Sequence, residues 1–251
     1  MPLTKLVTII SIVIFIVSCG PNQPKKERLS KSEQAKIYKS LGIRYYKLGK
    51  LEEAKEKLNK AVQINPTDAQ TYNALGVLYG RLNENLKARN YFEAAMNLDS
   101  KNAKIKNNYG RFLCEQSEYQ KAMKYLKEAA TDPTSQIQWQ VLTNLGHCEI
   151  LQGNKRKAVL NFKKTLLQNP NHAPALLEMS KIYYNDGNFF SARAFLERFF
   201  SASGKLRSSE SLNLGYMIEK ALDSNQQAEE YRTSLLREFP DSPEAEKLLL
   251  E

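Results

Sequence analysis

From Ala35 onward the hydrophobic and polar positions of the chain follow a helical period, and this pattern itself recurs about every 34 residues. Each recurrence carries a small residue at one fixed position, at Gly42, Gly76, Gly110, Gly146, Ser180 and Gly215. Twelve residues later, the first five recurrences carry alanine, at Ala54, Ala88, Ala122, Ala158 and Ala192. A repeat of this length is typical of arrays of similar structural units. The sequence therefore predicts a chain of stacked units.

Large apolar residues follow four positions after each alanine, at Leu58, Phe92, Leu126, Phe162 and Leu196. Small residues let two helices approach closely, and larger ones fill the remaining space between them. Pro66 and Pro170 lie where the second helix of a unit must end. Each unit is therefore predicted to be a helix pair. Because one pair cannot bury its apolar faces alone, the stack is the folding unit.

These positions resemble the signature of the tetratricopeptide repeat, and the resemblance extends over residues 35–241. It implies an all-α fold, a right-handed superhelix of about six helix pairs. The six units are expected at 35–68, 69–102, 103–138, 139–172, 173–207 and 208–241.

Two units depart from the pattern. The third has about two extra residues within 133–138. In the sixth, Gln227 stands at the alanine position and Ala228 follows it, which predicts a one-residue insertion. Residues 242–251 begin with Ser242, a good N-cap residue, and with Pro243, which is favoured at the first helical position. We expect a short C-terminal capping helix there.

Residues 1–18 have a different pattern, with an apolar run from Leu6 to Val17 after Lys5. A run of about 12 residues is shorter than the roughly 20 that span a bilayer as a helix. It fits a secretory signal peptide. The run leads to Ser18-Cys19, which resembles the lipobox of bacterial lipoproteins and implies covalent lipid on Cys19. The alternative is a membrane anchor with an incidental cysteine.

Residues 19–34 contain two prolines and no apolar period, so they are predicted to be a lipidated tether. Gly20 follows Cys19, in place of the Asp that keeps many bacterial lipoproteins in the inner membrane. By this resemblance the expected location is the outer membrane, where the acyl chains hold the protein facing the periplasm.

Composition narrows the functional class. Hydrophobic residues make up 42% and charged residues 25%, which argues against widespread disorder and excludes a polytopic membrane protein. The 37 Lys and Arg residues exceed the 27 Asp and Glu residues, for a net charge of +10. Such an excess suits an anionic partner, which could be nucleic acid, a lipid surface or an acidic protein.

In tetratricopeptide stacks the first helix of each unit lines a concave groove. By that resemblance the groove begins basic and polar, with an apolar spot at Ile43, Tyr46 and Val77. It becomes apolar and aromatic at its far end. An aromatic-lined groove is where an extended or helical peptide docks, although each residue taken singly is explained as well by ordinary packing or solvent exposure. The remaining candidate groove residues are Asn107, Arg111, Leu177, Tyr184, Leu212 and Tyr216.

No motif predicts catalysis, a metal or a cofactor other than the lipid on Cys19. The two histidines, His147 and His172, stand in no recognised motif with a serine or a carboxylate. His147 and Cys148 point about 100° apart on a helix, so with Cys114 they form no four-ligand metal set. Nucleic acid is a poor match because the basic residues are scattered over helix surfaces. A non-enzymatic binding protein is expected.

One segment is more informative about the family than the general repeat pattern. Its sequence is Asn107-Asn108-Tyr109-Gly110-Arg111-Phe112-Leu113-Cys114. It resembles the Asn-Asn-Tyr-Gly-x-Phe-Leu-Cys segment of the PilF/PilW family of type IV pilus biogenesis lipoproteins. The six units, Asp132-Pro133-Thr134 and the lipobox extend this resemblance. It implies a pilotin, which carries or assembles the secretin PilQ, the outer-membrane ring through which the pilus emerges.

The pilotin is expected to be a monomer. Two other classes share its anchor and its fold. One is a periplasmic adaptor for barrel assembly or for peptidoglycan hydrolases, and the other is a scaffold in polysaccharide export.

The same family resemblance bears on Cys114 and Cys148. They remain when Cys19 carries lipid, the periplasm is oxidising, and they lie on the first helices of neighbouring units. Family members with both cysteines look bridged at these positions, which implies a disulfide here. Two buried free thiols are the alternative.

Overall fold

The computed structural model describes residues 29–131, 137–204 and 207–250. Within these ranges the chain forms thirteen α-helices and no strand, so the predicted all-α fold is confirmed. None of the helices described is long and apolar enough to cross a bilayer. The predicted signal peptide at 1–18, the lipidation site Cys19 and most of the tether lie outside the described ranges and stay predictions.

Twelve helices form six consecutive pairs, and each pair packs against the next. First helices of neighbouring pairs also contact each other, as α3 contacts α5 and α5 contacts α7. A thirteenth helix packs on the last pair. The bounds are α1 (Lys31–Lys47), α2 (Leu51–Ile64), α3 (Ala69–Arg81), α4 (Asn85–Leu98), α5 (Ala103–Glu115), α6 (Tyr119–Ala129), α7 (Gln138–Leu151), α8 (Lys155–Gln168), α9 (Ala173–Asn185), α10 (Phe189–Ser203), α11 (Ser209–Ala221), α12 (Asn225–Glu238) and α13 (Pro243–Leu249).

The small-residue position brings the two helices of a pair into direct contact. A Cβ atom built on Gly76 would lie 2.7 Å from the Phe92 ring, and one on Gly146 would lie 2.6 Å from the Phe162 ring. Real side chains do not approach so closely, so a glycine is needed at both positions. The predicted alanines are fully buried in the same interfaces, as Ala54 and Ala88 show.

The sixth pair differs from the other five in the position of its glycine. In every pair the turn holds one residue of positive φ, five positions before the buried alanine. These residues are Gly49, Asn83, Ser117, Gly153, Gly187 and Asp223. Asp223 stands five positions before Ala228, as in the other pairs, but eight positions after Gly215 instead of seven, so the extra residue predicted between the glycine and the alanine lies before the turn. In the other pairs the small residue lies seven positions before the residue of positive φ. Seven positions before Asp223 stands Tyr216, and Gly215 is one residue earlier. The Tyr231 ring instead covers Gly215, which moves the close contact one residue earlier along α11.

The first helix begins earlier than predicted. The Oγ of Ser30 accepts a hydrogen bond from the backbone N–H of Glu33, and the Glu33 carboxylate accepts one from the backbone N–H of Ser30. This capping box satisfies two backbone donors and starts α1 at Lys31. The last four residues of the predicted tether, 31–34, are therefore helical.

The predicted C-terminal capping helix is present as α13. Ser242 caps it by accepting a hydrogen bond from the backbone N–H of Ala245 at 3.2 Å. The apolar side of α13 places Ala245 and Leu248 against Leu212 and Leu235. It covers the apolar end of the last pair.

Each predicted unit contains one helix pair, with α1 beginning before residue 35 and α7 beginning at Gln138, one residue before its predicted unit. The extra residues expected in the third unit fall mostly within 132–136, outside the described ranges.

We expect Gly76→Ala to lower the free energy of unfolding by about 1–3 kcal/mol, because the new methyl group would overlap the Phe92 ring. Gly80→Ala is the matched control on the same helix. Its Cβ would meet Phe112 at an ordinary 3.6 Å, so it should be neutral or stabilise by up to about 1 kcal/mol. Urea unfolding followed by circular dichroism measures both. Equal stability of the two variants would contradict the close-contact account.

Candidate functional site

Cavities along the first helices join into one groove. A first cavity of about 220 Å³ lies between α1, α3 and α5, and a central cavity of about 360 Å³ continues across α5 and α7. A far cavity of about 680 Å³ follows across α7, α9 and the start of α11. Lys104 and Asn108 line both the first and the central cavity, and Arg111 lines both the central and the far one. The groove is therefore continuous from the first pair to the fifth.

The first cavity brings together Ile43, Tyr46 and Val77 as expected. Leu58 and Ala74 add to its apolar lining. The guanidinium of Arg81 lies 5.2 Å from the centre of the Tyr46 ring, a cation–π contact that helps to hold the ring in place. This cavity has the size and the lining to receive one apolar side chain of a partner.

The central cavity is lined by side-chain amides that form pairs between neighbouring helices. The Nδ2 of Asn108 donates to the Oδ1 of Asn73 at 3.2 Å, and the Nδ2 of Asn144 donates to the Oδ1 of Asn107 at 2.9 Å. Asn107 is buried, so it contributes mainly by orienting Asn144. Because each pair uses one amide donor and one carbonyl acceptor, Asn108 and Asn144 keep an oxygen that can accept from a peptide main chain.

These amide pairs were missed by sequence reasoning, which singled out Asn107 alone. Each pair joins one position of a repeat to the following position in the next repeat, as Asn73 joins Asn108. An asparagine recurring at those two positions is the signal that could have identified them.

The cations of the groove differ in their pairing. Arg111 donates to the carboxylate of Glu115 at 2.5 Å, four residues along the same helix. Lys104 makes no ion pair with any residue that the structure describes, although it lies where the first and central cavities meet. It is the cation best placed to meet an acidic group of a partner.

In the far cavity, Leu177 and Pro174 form part of the apolar lining, and Lys181 is one of several charged residues that line it. The Lys181 ammonium lies 2.9 Å from the carboxylate of Glu178 and 2.5 Å from that of Glu210. Burial lowers the pKa of Lys181, but the hydrogen bonds and charges of the two carboxylates outweigh this effect and raise it. This cation is already neutralised by acidic neighbours.

Three of the predicted groove residues lie elsewhere. Leu212 is fully buried against the terminal helix, and Tyr216 packs on the same cluster, so the prediction is wrong for both. The cause is the shifted position of the glycine in the sixth pair, which turns these side chains into the core. Tyr184 packs against Phe189 across its own turn, with ring centres 5.6 Å apart.

Cys114 and Cys148 form a disulfide in the structure, with their Cα atoms 5.7 Å apart. Both residues are buried, where α5 meets α7. The bond joins the third pair to the fourth by linking α5 to α7. It therefore supports the part of the stack that carries the central cavity.

No three His, Cys, Asp or Glu residues in the described ranges are grouped so that they could hold a metal ion. His172 lines the central cavity and packs edge-on against Trp139, with ring centres 4.6 Å apart. Burial lowers its pKa, which favours the neutral imidazole. His147 lines the far cavity.

Comparisons with known proteins decide the family. A model described as TPR repeat matches residues 42–83, and one described as Tetratricopeptide repeat matches residues 73–136. The "Type IV pilus assembly protein PilF" of Pseudomonas aeruginosa is 32% identical over 235 residues, which are 94% of this chain and 92% of that protein. The chain belongs to the PilF family of type IV pilus assembly proteins.

Solved structures agree with this assignment. The structure of Pseudomonas aeruginosa PilF has a TM-score of 0.70 at 32% identity and matches 88% of this chain and 98% of the other. PilW, described as a widely conserved type IV pilus biogenesis factor, has a TM-score of 0.72 at 28% identity, over 86% and 98% of the two chains. The PilF-family chain is thus a tetratricopeptide-repeat superhelix, as predicted.

We expect the Cys114–Cys148 bond of this PilF-family chain to stabilise it by about 3–4 kcal/mol, because it closes a loop of 34 residues in the unfolded chain. Thermal unfolding with and without reductant measures the effect, and Cys114→Ala with Cys148→Ala should reproduce the reduced midpoint. Mass spectrometry of protein that was purified without reductant and alkylated should find the two peptides linked. Two alkylated cysteines in that sample would contradict the bond.

Proposed function

We propose that this protein is a pilotin, an outer-membrane lipoprotein that binds the type IV pilus secretin PilQ and promotes its localisation and assembly. The observation that carries the proposal is the 32% identity to a type IV pilus assembly protein across 94% of the chain. The likeness to PilW, a type IV pilus biogenesis factor, supports the same process. Pilus biogenesis and twitching motility would then depend on it.

The proposed activity is binding without catalysis. The groove suits an extended segment of the secretin, with one apolar side chain in the first cavity beside Tyr46 and Val77. The main chain of that segment would pass Asn108 and Asn144, whose free amide oxygens accept from its N–H groups. An acidic residue next to the apolar one would meet the unpaired Lys104. The protein acts as a monomer, without nucleic acid or a cofactor other than lipid.

The proposed anchor is lipid on Cys19, joined to α1 by a short tether. Attachment at the first mature residue would leave the whole groove free to bind in the periplasm. More than one acyl chain is needed for stable anchoring, because a single chain gives reversible membrane binding.

Affinity capture of the tagged full-length protein from solubilised outer membranes tests the proposal. Secretin subunits should be the dominant partner. Barrel-assembly proteins, peptidoglycan hydrolases or polysaccharide-export components in their place would identify one of the alternative adaptor classes and overturn the pilotin assignment.

We expect Tyr46→Ala with Val77→Asp to weaken secretin capture about thirtyfold, because an aromatic anchor in a desolvated pocket contributes about 2 kcal/mol or more. Leu86→Asp is the control, since it adds the same acid to an exposed position on α4. Leu177→Asp tests the far cavity in the same assay.

The comparison is valid only if the variants keep the circular dichroism spectrum and the melting temperature of the wild-type protein. Tyr46→Ala alone is the milder variant if the double variant is unstable. Undiminished capture by folded variants of both cavities would place the secretin site outside the groove.

Cys19→Ala should abolish incorporation of labelled palmitate and leave the chain unprocessed or released from the membrane. The repeats should still fold, since residue 19 precedes every described helix. In a strain carrying this variant, secretin subunits should be mislocalised or unassembled. Absence of label from the wild-type protein would refute lipidation, whereas full secretin rings in the variant strain would show that the anchor is dispensable.

A further inference from the structure

The convex side of the stack has one helix of unusual composition. Helix α8 contains five basic residues and no acidic residue. One of them, Lys155, pairs with Asp186 of the following turn. The other four are exposed and form no ion pair with any residue that the structure describes: Arg156, Lys157, Lys163 and Lys164.

Two leucines lie among these cations. Leu160 is 52% exposed and Leu167 is 83% exposed. Successive residues of a helix are about 100° apart, so both leucines point away from Phe162, one of the residues of α8 that are buried in the core. The four cations stand three or four positions from Leu160, on the same outward side. We call these six residues the α8 basic face.

The other second helices show where along the stack this positive charge is concentrated. On α6, the second helix of the preceding pair, Lys124 and Lys127 are exposed and also lack an ion pair among the described residues. At the two ends of the stack, the position that Leu160 occupies on α8 is held by an acid, Glu56 on α2 and Glu230 on α12. The positive charge is therefore concentrated at the middle of the convex side.

We propose that the α8 basic face docks on a bilayer surface that contains anionic phospholipid. The cations would contact lipid phosphates while Leu160 and Leu167 enter the boundary between the headgroups and the acyl chains. Both leucines project outward from a convex helix, a shape that a fluid headgroup layer accommodates. The same charge suits an acidic protein, but such a partner would leave two outward leucines to be covered by a matching concave surface.

The groove and the α8 basic face lie on opposite sides of the stack, because the groove is lined mainly by first helices and α8 is a second helix. Membrane contact therefore leaves the groove free. The proposal depends on neither the lipid on Cys19 nor the secretin. It can therefore be tested independently of the pilotin assignment.

The test is lysine accessibility in the full-length protein on vesicles. The protein is incubated with vesicles of phosphatidylcholine alone or of phosphatidylcholine with phosphatidylglycerol, labelled with an amine-reactive reagent, and digested for mass spectrometry. Each cation near an anionic surface contributes about fivefold in affinity, so the protein should bind the anionic vesicles far more tightly, and labelling of Lys163 and Lys164 should fall on those vesicles only. High salt should restore it. The exposed Lys101 and Lys247 should label equally on both.

Paired variants make the test specific. Lys163→Glu with Lys164→Glu should remove the protection of Lys124, Lys127 and Lys157, whereas Lys101→Glu with Lys247→Glu changes the net charge equally and should leave it intact. Helical circular dichroism checks the fold of both. Equal labelling on the two vesicle types would overturn the proposal, as would protection that appears only when an acidic protein is added.

Discussion

The contact between a small residue on the first helix of a pair and a large side chain on the second sets the geometry of the whole molecule. A Cβ atom on Gly146 would lie 2.6 Å from the Phe162 ring, and one on Gly110 would lie 2.8 Å from Leu126. This contact fixes the separation of the two helices. Because the same contact recurs from pair to pair, successive pairs stack in the same way, and their first helices come to lie side by side along one groove.

The amide pairs and the disulfide of the groove lie between these neighbouring first helices. The amide pair of Asn107 and Asn144 joins α5 to α7, and the disulfide of Cys114 and Cys148 joins the same two helices. One interface thus orients the polar groups of the central cavity and is covalently closed. Preorganised polar groups lose less entropy on binding than mobile ones. The groove is accordingly a preformed site in its middle section.

The two sides of the stack differ in how their charge is balanced. In the groove, Arg111 and Lys181 have carboxylate partners, whereas Lys104 and Lys47 form no ion pair with any described residue. On the convex side, α8 concentrates cations without acids. The net charge of +10 is therefore not spread evenly. The groove thus has mostly paired charges, whereas the convex side carries a cluster of unpaired cations among the described residues.

The sequence by itself determined the all-α repeat fold, the number of pairs and the terminal helix, because each depends on local periodicity and on capping residues such as Ser242. It also identified the apolar cavity residues Ile43, Tyr46 and Val77, which follow directly from repeat position. The start of α1 is equally local, because Ser30 and Glu33 form its capping box, but sequence reasoning missed it. The tertiary structure decided the amide pairs and the burial of Leu212. That leucine entered the core because Tyr231 covers Gly215 and shifts the sixth pair by one residue, and α13 then buries what the repeat pattern assigns to the groove. Position within a repeat is a local property, whereas burial depends on which neighbour covers the residue.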